Sequence, residues 1–165
     1  MNDNHLTEIE QTIVDMVDKH GCFIMSVFDP EGVAPDFSYS IGYARTVQQP
    51  DVIVFSLPKS LRASMINEIW RQMSEDGLEL SDGAEISDLL EGHICVAREV
   101  TDPAAIAEHF GSAIWYYRHI GMPAVSRAFQ IVWPGAHQGL LPWEEGCASE
   151  VIEDQPALYV TGTVH

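Results

Sequence analysis

The spacing of apolar residues changes from helical to strand-like at a glycine near the start of the chain. Thr7 and Glu10 have the spacing of a capping box, and His20 with Gly21 forms a typical helix end. The pattern therefore predicts a helix from about Thr7 to Lys19. The apolar residues on its one face are Leu6, Ile9, Ile13, Met16 and Val17.

Three short segments, 22–28, 37–43 and 52–57, follow this helix and have the character of strands. In the second, large residues alternate with Ser38, Ser40 and Gly42, so one face is small and polar. Another backbone or a ligand could lie close to such a face. The third is apolar at every position except Ser56, as in a strand that is buried on both faces.

The second half of the chain predicts helices and strands in mixed order. Ser60 is placed to cap a helix that stops near Gly77, and a short helix is possible at 84–90. Asp102 and Pro103 form a helix start, and that helix should break at Gly111 and resume over 112–120. Strands are predicted at 93–97 and 129–133, with an edge strand at 157–160.

Helices and strands do not alternate strictly, which disfavours a doubly wound parallel sheet. We expect an α+β domain with a mainly antiparallel sheet flanked by helices, and a barrel-like sheet is an alternative. No repeat or linker divides the 165 residues, so the chain is predicted to be one domain over 1–165. At this length a domain buries roughly 70% of the surface that its unfolded chain exposes.

Acidic residues far outnumber basic ones. Eight Lys and Arg against 25 Asp and Glu give a net charge of −17, which argues against nucleic acid or an anionic membrane as partner. Seven of the acidic residues lie within 72–91, a stretch without any basic residue. We expect this stretch to be a solvent-facing surface that could attract a basic protein.

The sequence predicts a cytoplasmic protein without a membrane segment. No apolar run approaches the roughly 18 residues of a membrane span, and the N-terminus is acidic. Cys22, Cys95 and Cys147 are odd in number and widely spaced, which favours reduced thiols.

No combination of residues defines a reaction, a metal site or a cofactor. His20 is either a general base or the cap of a helix, and Cys22 is a nucleophile only if that histidine reaches it. His93 and Cys95 share one face of a strand, but two ligands do not make a metal site. We therefore expect no catalytic residue, no metal and no bound cofactor.

One concave site is predicted where three segments meet. The 39–42 strand would supply Tyr39, Ser40 and Gly42, the end of the 130–134 strand would supply Gln130 and Trp133, and the following loop Trp143. His20 joins this site if the end of the first helix folds over it. Two indole rings and one amide would suit a small planar ligand.

The aromatic helix 115–117 has no single apolar face, because three consecutive residues span most of a turn. Trp115, Tyr116 and Tyr117 are therefore expected to be exposed in part or to cover a partner.

A series of short phrases, in one order along nearly the whole chain, resembles a known family. The chain is similar to a widespread bacterial family, the domain of unknown function numbered 4262. The resemblance implies a fold neighbourhood and no activity. The matching phrases are His20-Gly21, Phe37-Ser38-Tyr39-Ser40-Ile41-Gly42, Pro50-Asp51, Leu57-Pro58, Gln130-Ile131-Val132-Trp133-Pro134, Pro142-Trp143 and Gln155-Pro156.

Three positions depart from the phrases of that family. Gln49 replaces a loop histidine, Cys22 replaces a tryptophan, and Gly135 replaces an aspartate. Any chemistry that the family carries at these positions would be missing from this chain.

Two classes of function agree with these observations. The first is a non-enzymatic protein-interaction or ligand-binding module, for example an acidic inhibitor or immunity protein. The second is a flavin-binding oxidoreductase of the split-barrel type, suggested by the small face of the 37–43 strand. A flavin phosphate needs cations or backbone donors, and only Arg45 and Thr46 lie near that strand. The oligomeric state is left open.

Overall fold

A mixed sheet organises the part of the chain that the computed structural model describes, residues 5–161. The strands are β1 (Phe23–Val27), β2 (Phe37–Ile41), β3 (Val52–Phe55), β4 (Glu85–Leu90), β5 (His93–Val100) and β6 (Ala128–Val132). The helices are α1 (Glu8–His20), α2 (Tyr43–Thr46), α3 (Lys59–Glu75), α4 (Pro103–His109), α5 (Gly111–His119) and α6 (Ser149–Glu153). The predicted α+β class is confirmed.

The strands lie in the order β1-β2-β3-β6-β5-β4. All neighbours are antiparallel except β3 and β6, which are parallel. Within the described residues β1 and β4 have one neighbour each, so the sheet is open and the barrel-like alternative is wrong. An open sheet can carry helices on both faces, whereas the interior of a small barrel is filled by strand side chains.

One face of the sheet packs against α3. Ser38, Ser40, Val52 and Val54 point toward this face, because side chains alternate along β2 and β3. The buried apolar residues that join strands and helix here include Val52, Val54, Phe129, Ile131, Met65, Ile66 and Ile69.

The opposite face packs against α1, α4 and α5. Tyr39, Ile53 and Gln130 are cross-strand partners and therefore share this face. The apolar residues of this second core include Tyr39, Ile41, Ile53, Ile13, Val17, Ile106, Phe110 and Tyr116. Since both faces are covered, β3 is apolar throughout, as its sequence predicted.

The helix ends agree closely with the sequence patterns. Thr7 and Glu10 form the capping box, and Gly21 takes a left-handed conformation after α1. Asp102 caps α4, and the chain breaks at Phe110 before α5 begins at Gly111. The helix predicted to be capped by Ser60 is found, but the cap is wrong, because α3 begins at Lys59 with Pro58 at the N-cap position and Ser60 lies in its first turn.

The short helix predicted at 84–90 is wrong, because this segment is the edge strand β4. Asp88 has a φ of 67°, and the pairing with β5 shifts register between Ile86 and Leu90. This bulge brings the buried positions to Ile86 and Leu89, a spacing that resembles a helix.

The edge strand predicted at 157–160 is also wrong, since this segment has no strand conformation. Side-chain amides hold it in place of a backbone ladder. Gln130 donates from Nε2 to Pro156 O and accepts from Leu158 N, both at 2.9 Å. The short helices α2 and α6 were not predicted, because four or five residues are too few for a periodic pattern.

Candidate functional site

A buried carboxylate at the start of β3 joins three parts of the chain. Asp51 is 3% exposed. Its Oδ1 accepts hydrogen bonds from Ser40 Oγ at 2.7 Å and from Tyr43 N at 3.1 Å. Its Oδ2 accepts from Tyr117 Oη at 2.6 Å. One side chain therefore ties β2, α2 and α5 together.

Tyr117 completes this cluster from α5. Its hydroxyl accepts hydrogen bonds from Gly42 N at 3.0 Å and from Ala44 N at 3.1 Å, and donates its own proton to Asp51. Free N–H groups at the start of a helix need such acceptors. The hydroxyl thus stabilises the tight turn that leads from β2 into α2.

The electrostatics of the pair follow from burial. Burial raises the pKa of Asp51 to about 6, although the hydrogen bonds from Ser40 and Tyr117 act in the opposite direction. Burial, followed by the negative charge of Asp51, raises the pKa of Tyr117 far above its ordinary value. The phenol is therefore protonated at neutral pH, while the carboxyl group titrates near it.

Gly42 shows that the small face of β2 is a packing surface. It has a φ of 111°, and a Cβ at this position would lie 2.8 Å from Val17 Cγ1. Ser38 Oγ accepts from Arg62 Nε at 2.8 Å, while Ser40 bonds Asp51. Of the two expectations for this face, the close approach of another backbone is found, since a Cβ on Gly42 would lie 3.3 Å from Gly21 O. The alternative of a ligand is corrected, because α1, α3 and the Asp51 cluster fill the space.

A cleft of about 350 Å³ opens above Asp51 and Tyr117, and we call it the Tyr117 cleft. The segment 122–127 forms one wall, and 44 with 48–50 forms the other. The apolar wall residues include Ala44, Pro50, Met122, Pro123 and Val125, while Gln48, Ser126 and Arg127 are polar.

The loop 48–50 separates the Tyr117 cleft from a second cleft of about 490 Å³, and Arg127 lines both. Gln49 donates from Nε2 to Leu78 O at 2.9 Å and accepts from Leu80 N at 3.1 Å. Gln48 has a φ of 55°, the region that favours glycine. The side-chain amide of Gln49 therefore fixes the loop 48–50 to the backbone of 78–80.

The structure does not bring the seven predicted site residues into one site. Ser40 points toward α3, whereas Tyr39 and Gln130 point toward the opposite face of the sheet. Tyr39 Oη accepts from Ser112 N at 3.0 Å and is buried. Trp133 donates from Nε1 to Phe55 O at 2.9 Å in the core.

Gln130 and Trp143 contact the C-terminal segment instead of a cleft. Gln130 is 1% exposed, and its amide is occupied by the backbone of 156–158. Trp143 is edge-to-face with Tyr159, and the Arg98 guanidinium lies 5.0 Å and 4.4 Å from the centres of these two rings. Both residues therefore fix the tail to the sheet.

The remaining candidates for chemistry include an exposed histidine and three free cysteines. His20 is exposed in the last turn of α1. All three cysteines are free, and burial raises the pKa of Cys22 and of Cys95 to about 12, so both are thiols at neutral pH. Among residues 5–161, no three His, Cys, Asp or Glu side chains are grouped to hold a metal.

The three departures from the family phrases have different surroundings. Gln49 lines both clefts. Cys22 packs in the core beside α3, and a Cβ on Gly135 would lie 3.0 Å from Val151. Of these three positions, Gln49 is the one at which the departure alters a cleft wall.

The carboxylates of the acid-only stretch 72–91 are exposed, as predicted, while its apolar residues Met73, Leu80, Ile86 and Leu89 are buried. All seven of its carboxylates lie at the surface, at the end of α3, in the following loop and along β4. Arginines from outside the stretch pair with three of them. Arg71 bonds Glu75 and Asp76, each at 3.1 Å, and Arg98 bonds Asp82 at 2.9 Å.

The aromatic helix is buried over most of its cluster. Tyr116 is fully buried and Tyr117 is 3% exposed, so Trp115 is the part of the cluster that reaches the surface. Trp115 is half-buried and stacks on His119 with ring centres 5.0 Å apart. Two faces are covered because α5 packs against β2, α1 and α4.

Asp51 and Tyr117 were not predicted as site residues. The one available signal was an aspartate directly before a strand that is apolar at every position, since a carboxylate there must be buried with donors. Nothing in the sequence indicates that the donor is a tyrosine 66 positions further on.

None of the helices within 5–161 is long and apolar enough to cross a membrane. No curated protein and no solved structure shows significant similarity to the chain. A family model described as a domain of unknown function, DUF4262, matches residues 16–148. That match contains the Asp51 cluster and both clefts, and it confirms the resemblance drawn from the short phrases. The chain belongs to the DUF4262 family.

Proposed function

We propose that the protein is a non-enzymatic ligand-binding domain of the cytoplasm, and that its ligand occupies the Tyr117 cleft. The observation that carries this proposal is a preformed cleft of about 350 Å³ with apolar walls and a hydrogen-bonded floor. Small-molecule sites are commonly concave, mainly apolar and formed before the ligand arrives. Three free thiols agree with a reducing compartment.

The floor of the cleft supports binding over catalysis. The two oxygens of Asp51 already accept three hydrogen bonds from within the protein. The Tyr117 hydroxyl donates once and accepts twice, which uses its whole capacity. A general acid or base must instead have an atom within reach of the substrate proton. The pair therefore serves as a rigid floor.

The lining indicates the chemistry of the ligand. Its body would contact Pro50, Met122 and Val125, so it should be small, flat and mainly apolar. Arg127 is about half exposed at the cleft, with Nε bonded to Glu99 at 2.7 Å. The nitrogens of its guanidinium that Glu99 leaves available, together with the Gln48 amide, would bind an acceptor or an anionic group at the edge of the ligand.

A fluorescence titration tests this proposal with 1-anilinonaphthalene-8-sulfonate, a planar apolar anion. The native protein should bind the dye at one saturable site. Ala124→Trp fills the cleft and should abolish binding. Ala107→Trp, at an exposed position of α4, is the matched control and should bind like wild type. Equal binding by the two variants would contradict the proposal.

The flavin-binding alternative receives no support from the residues that suggested it. The small face of β2 is covered by α3, as the bond from Arg62 to Ser38 shows. Arg45, the cation nearest this strand in sequence, bonds Asp18 and Tyr116. These residues do not fit a flavin phosphate.

We propose as a second function that the exposed acidic stretch binds a basic protein. Glu79, Glu85, Asp88 and Glu91 make no ion pair with any residue that the structure describes, so their charge is available to a partner. Attraction of this kind decays over about 8 Å at physiological ionic strength, so it should weaken steeply with salt.

An octalysine peptide serves as the probe for this second proposal. The triple variant Glu85→Gln, Asp88→Asn, Glu91→Gln should bind it more weakly than wild type. Its control, Glu8→Gln, Asp15→Asn, Glu108→Gln, changes net charge equally at exposed positions on α1 and α4. If both variants lose the same affinity, the peptide responds to net charge alone and the proposed surface is wrong.

A further inference from the structure

The two edges of the sheet are built differently. The outer strand β4 carries exposed Glu85 and Asp88, and a bulge interrupts its pairing. Charged side chains and bulges are the usual means by which an edge strand is protected from pairing with another chain. This edge is therefore closed to further strands.

The opposite edge, β1, has none of these protections. Its residues Phe23–Val27 include no charge and no proline. All five pair with β2 in one continuous register, from Phe23 with Ile41 to Val27 with Phe37. Four of the five are half-buried and Val27 is exposed, so the strand is accessible from outside. Its outer backbone N–H and C=O groups have no neighbouring strand among the described residues.

The loop that follows β1 carries two exposed apolar side chains. Phe28 is 68% exposed and Val33 is 83% exposed. The Asp29 carboxylate accepts from the backbone N–H groups of Glu31, Val33 and Ala34 at about 3 Å, so the loop is held in one shape. Exposed apolar side chains on a fixed loop beside a free strand mark an interaction surface.

We propose that β1 pairs with β1 of a second copy, so that two sheets join edge to edge in a symmetric dimer. In an antiparallel pair, directly opposed side chains lie on the same face of the sheet, so the two-fold axis passes midway between one residue and the same residue of the second copy. The centre of the strand is Met25, which places Ile24 opposite Ser26 and Phe23 opposite Val27.

Charge complementarity favours a second copy as the occupant. Because Phe23 of one copy would lie opposite Val27 of the other, the turn after β1, with exposed Glu31, would come near the end of α1 of the other copy. Lys19 and His20 are exposed at that end and make no ion pair with any described residue. Two copies with a charge of −17 each repel one another at a distance, so a neutral strand flanked by opposite charges is where they can meet.

The first experiment is a mass measurement by light scattering on the intact protein across a range of concentrations. Wild type should reach twice the 18.3 kDa of one chain. Val27→Lys should shift it to the single-chain mass while its thermal unfolding stays cooperative. Ile94→Lys places the same charge at an exposed apolar position of β5 and should leave the dimer intact. Wild type with the single-chain mass throughout, or a dimer that Val27→Lys does not dissociate, overturns the proposal.

Cross-linking then tests the register. In a Cys147→Ser background, Met25→Cys should form a disulfide-linked dimer on oxidation with diamide, because the two Cα atoms across the axis would be about 4.5–5.5 Å apart. Ser26→Cys is the control, since its distance to its own copy would be about 7–8 Å. Faster cross-linking at Ser26→Cys than at Met25→Cys overturns the proposed pairing.

Discussion

The Tyr117 hydroxyl lies 2.6 Å from Oδ2 of Asp51 and, on its other side, accepts two backbone N–H groups at the start of α2. A single oxygen thus connects the carboxylate before β3 to the turn after β2. The arrangement explains how the Asp51 carboxylate is accommodated in a buried position.

Removal of the Tyr117 hydroxyl oxygen should lower the free energy of unfolding. Tyr117→Phe leaves Gly42 N, Ala44 N and Asp51 Oδ2 without their partner, and each unsatisfied buried group costs about 1–3 kcal/mol. We expect the free energy of unfolding in urea to fall by about 3 kcal/mol or more. Tyr116→Phe, which loses only a bond from Arg45, should cost about 1 kcal/mol or less. Equal losses would contradict the role given to Tyr117.

The raised pKa of Asp51 predicts an unusual pH dependence. Its folded pKa is about 6, above the unfolded value of about 3.9, so the folded state holds the proton more tightly. The resulting stabilisation is complete below about pH 4 and is lost as the pH rises through 6, a change of about 3 kcal/mol. Asp51→Asn cannot titrate.

The measurement is the difference in unfolding free energy between wild type and Asp51→Asn at several pH values. The unfolding free energy of wild type minus that of Asp51→Asn should decrease between about pH 4 and 7, because only the wild type has a proton on Asp51 to lose. Taking the difference removes the opposite trend of Asp29 and Asp82, whose pKa values are lowered by backbone hydrogen bonds, and for Asp82 also by Arg98. A difference that stays constant over this range would show that Asp51 does not titrate there.

Gln130→Ala should destabilise the protein by roughly 1–3 kcal/mol. The buried amide holds Pro156 O and Leu158 N, and its loss leaves both without a partner. Gln138→Ala, at an exposed position, should leave the melting temperature unchanged. If Gln130→Ala also leaves it unchanged, the amide has a binding role in place of a structural one.

Gly42→Ala should lower the free energy of unfolding more than an alanine substitution at a glycine with free space around it. The left-handed conformation costs a residue with a Cβ about 1–2 kcal/mol, and the methyl group would also collide with Val17. Gly32→Ala is the control, because Gly32 has a φ of 70° and no atom within 4 Å of the added Cβ. Chemical denaturation of both variants should show the larger loss at position 42.

Local signals in the sequence were sufficient to predict α1, the break between α4 and α5, and the buried strand β3. A capping box, a proline at a helix start and a fully apolar run each act within a few residues. The pattern misled at 84–90, where the bulge at Asp88 changes the alternation of a strand into a spacing like that of a helix.

The site was harder to predict, because it depends on contacts between distant segments. Ser40 was chosen for its small size, and its actual role is to bond Asp51. Gln130 was chosen because its amide can both donate to and accept from a ligand, and the backbone of 156–158 uses both groups. Which face of the sheet a strand residue takes depends on the pairing of strands far apart in sequence, as for Ser40 and Gln130.

The attachment of the tail through Gln130 and Gln155 has a consequence for local unfolding. The β6 backbone bonds β3 and β5, while the hydrogen bonds between β6 and the segment 156–158 are made by the Gln130 side chain. The tail can therefore detach without opening the sheet, at a free energy well below that of global unfolding. Hydrogen exchange of the Leu158 amide should report this partial opening, and the amides of β6 should exchange only when the whole domain unfolds.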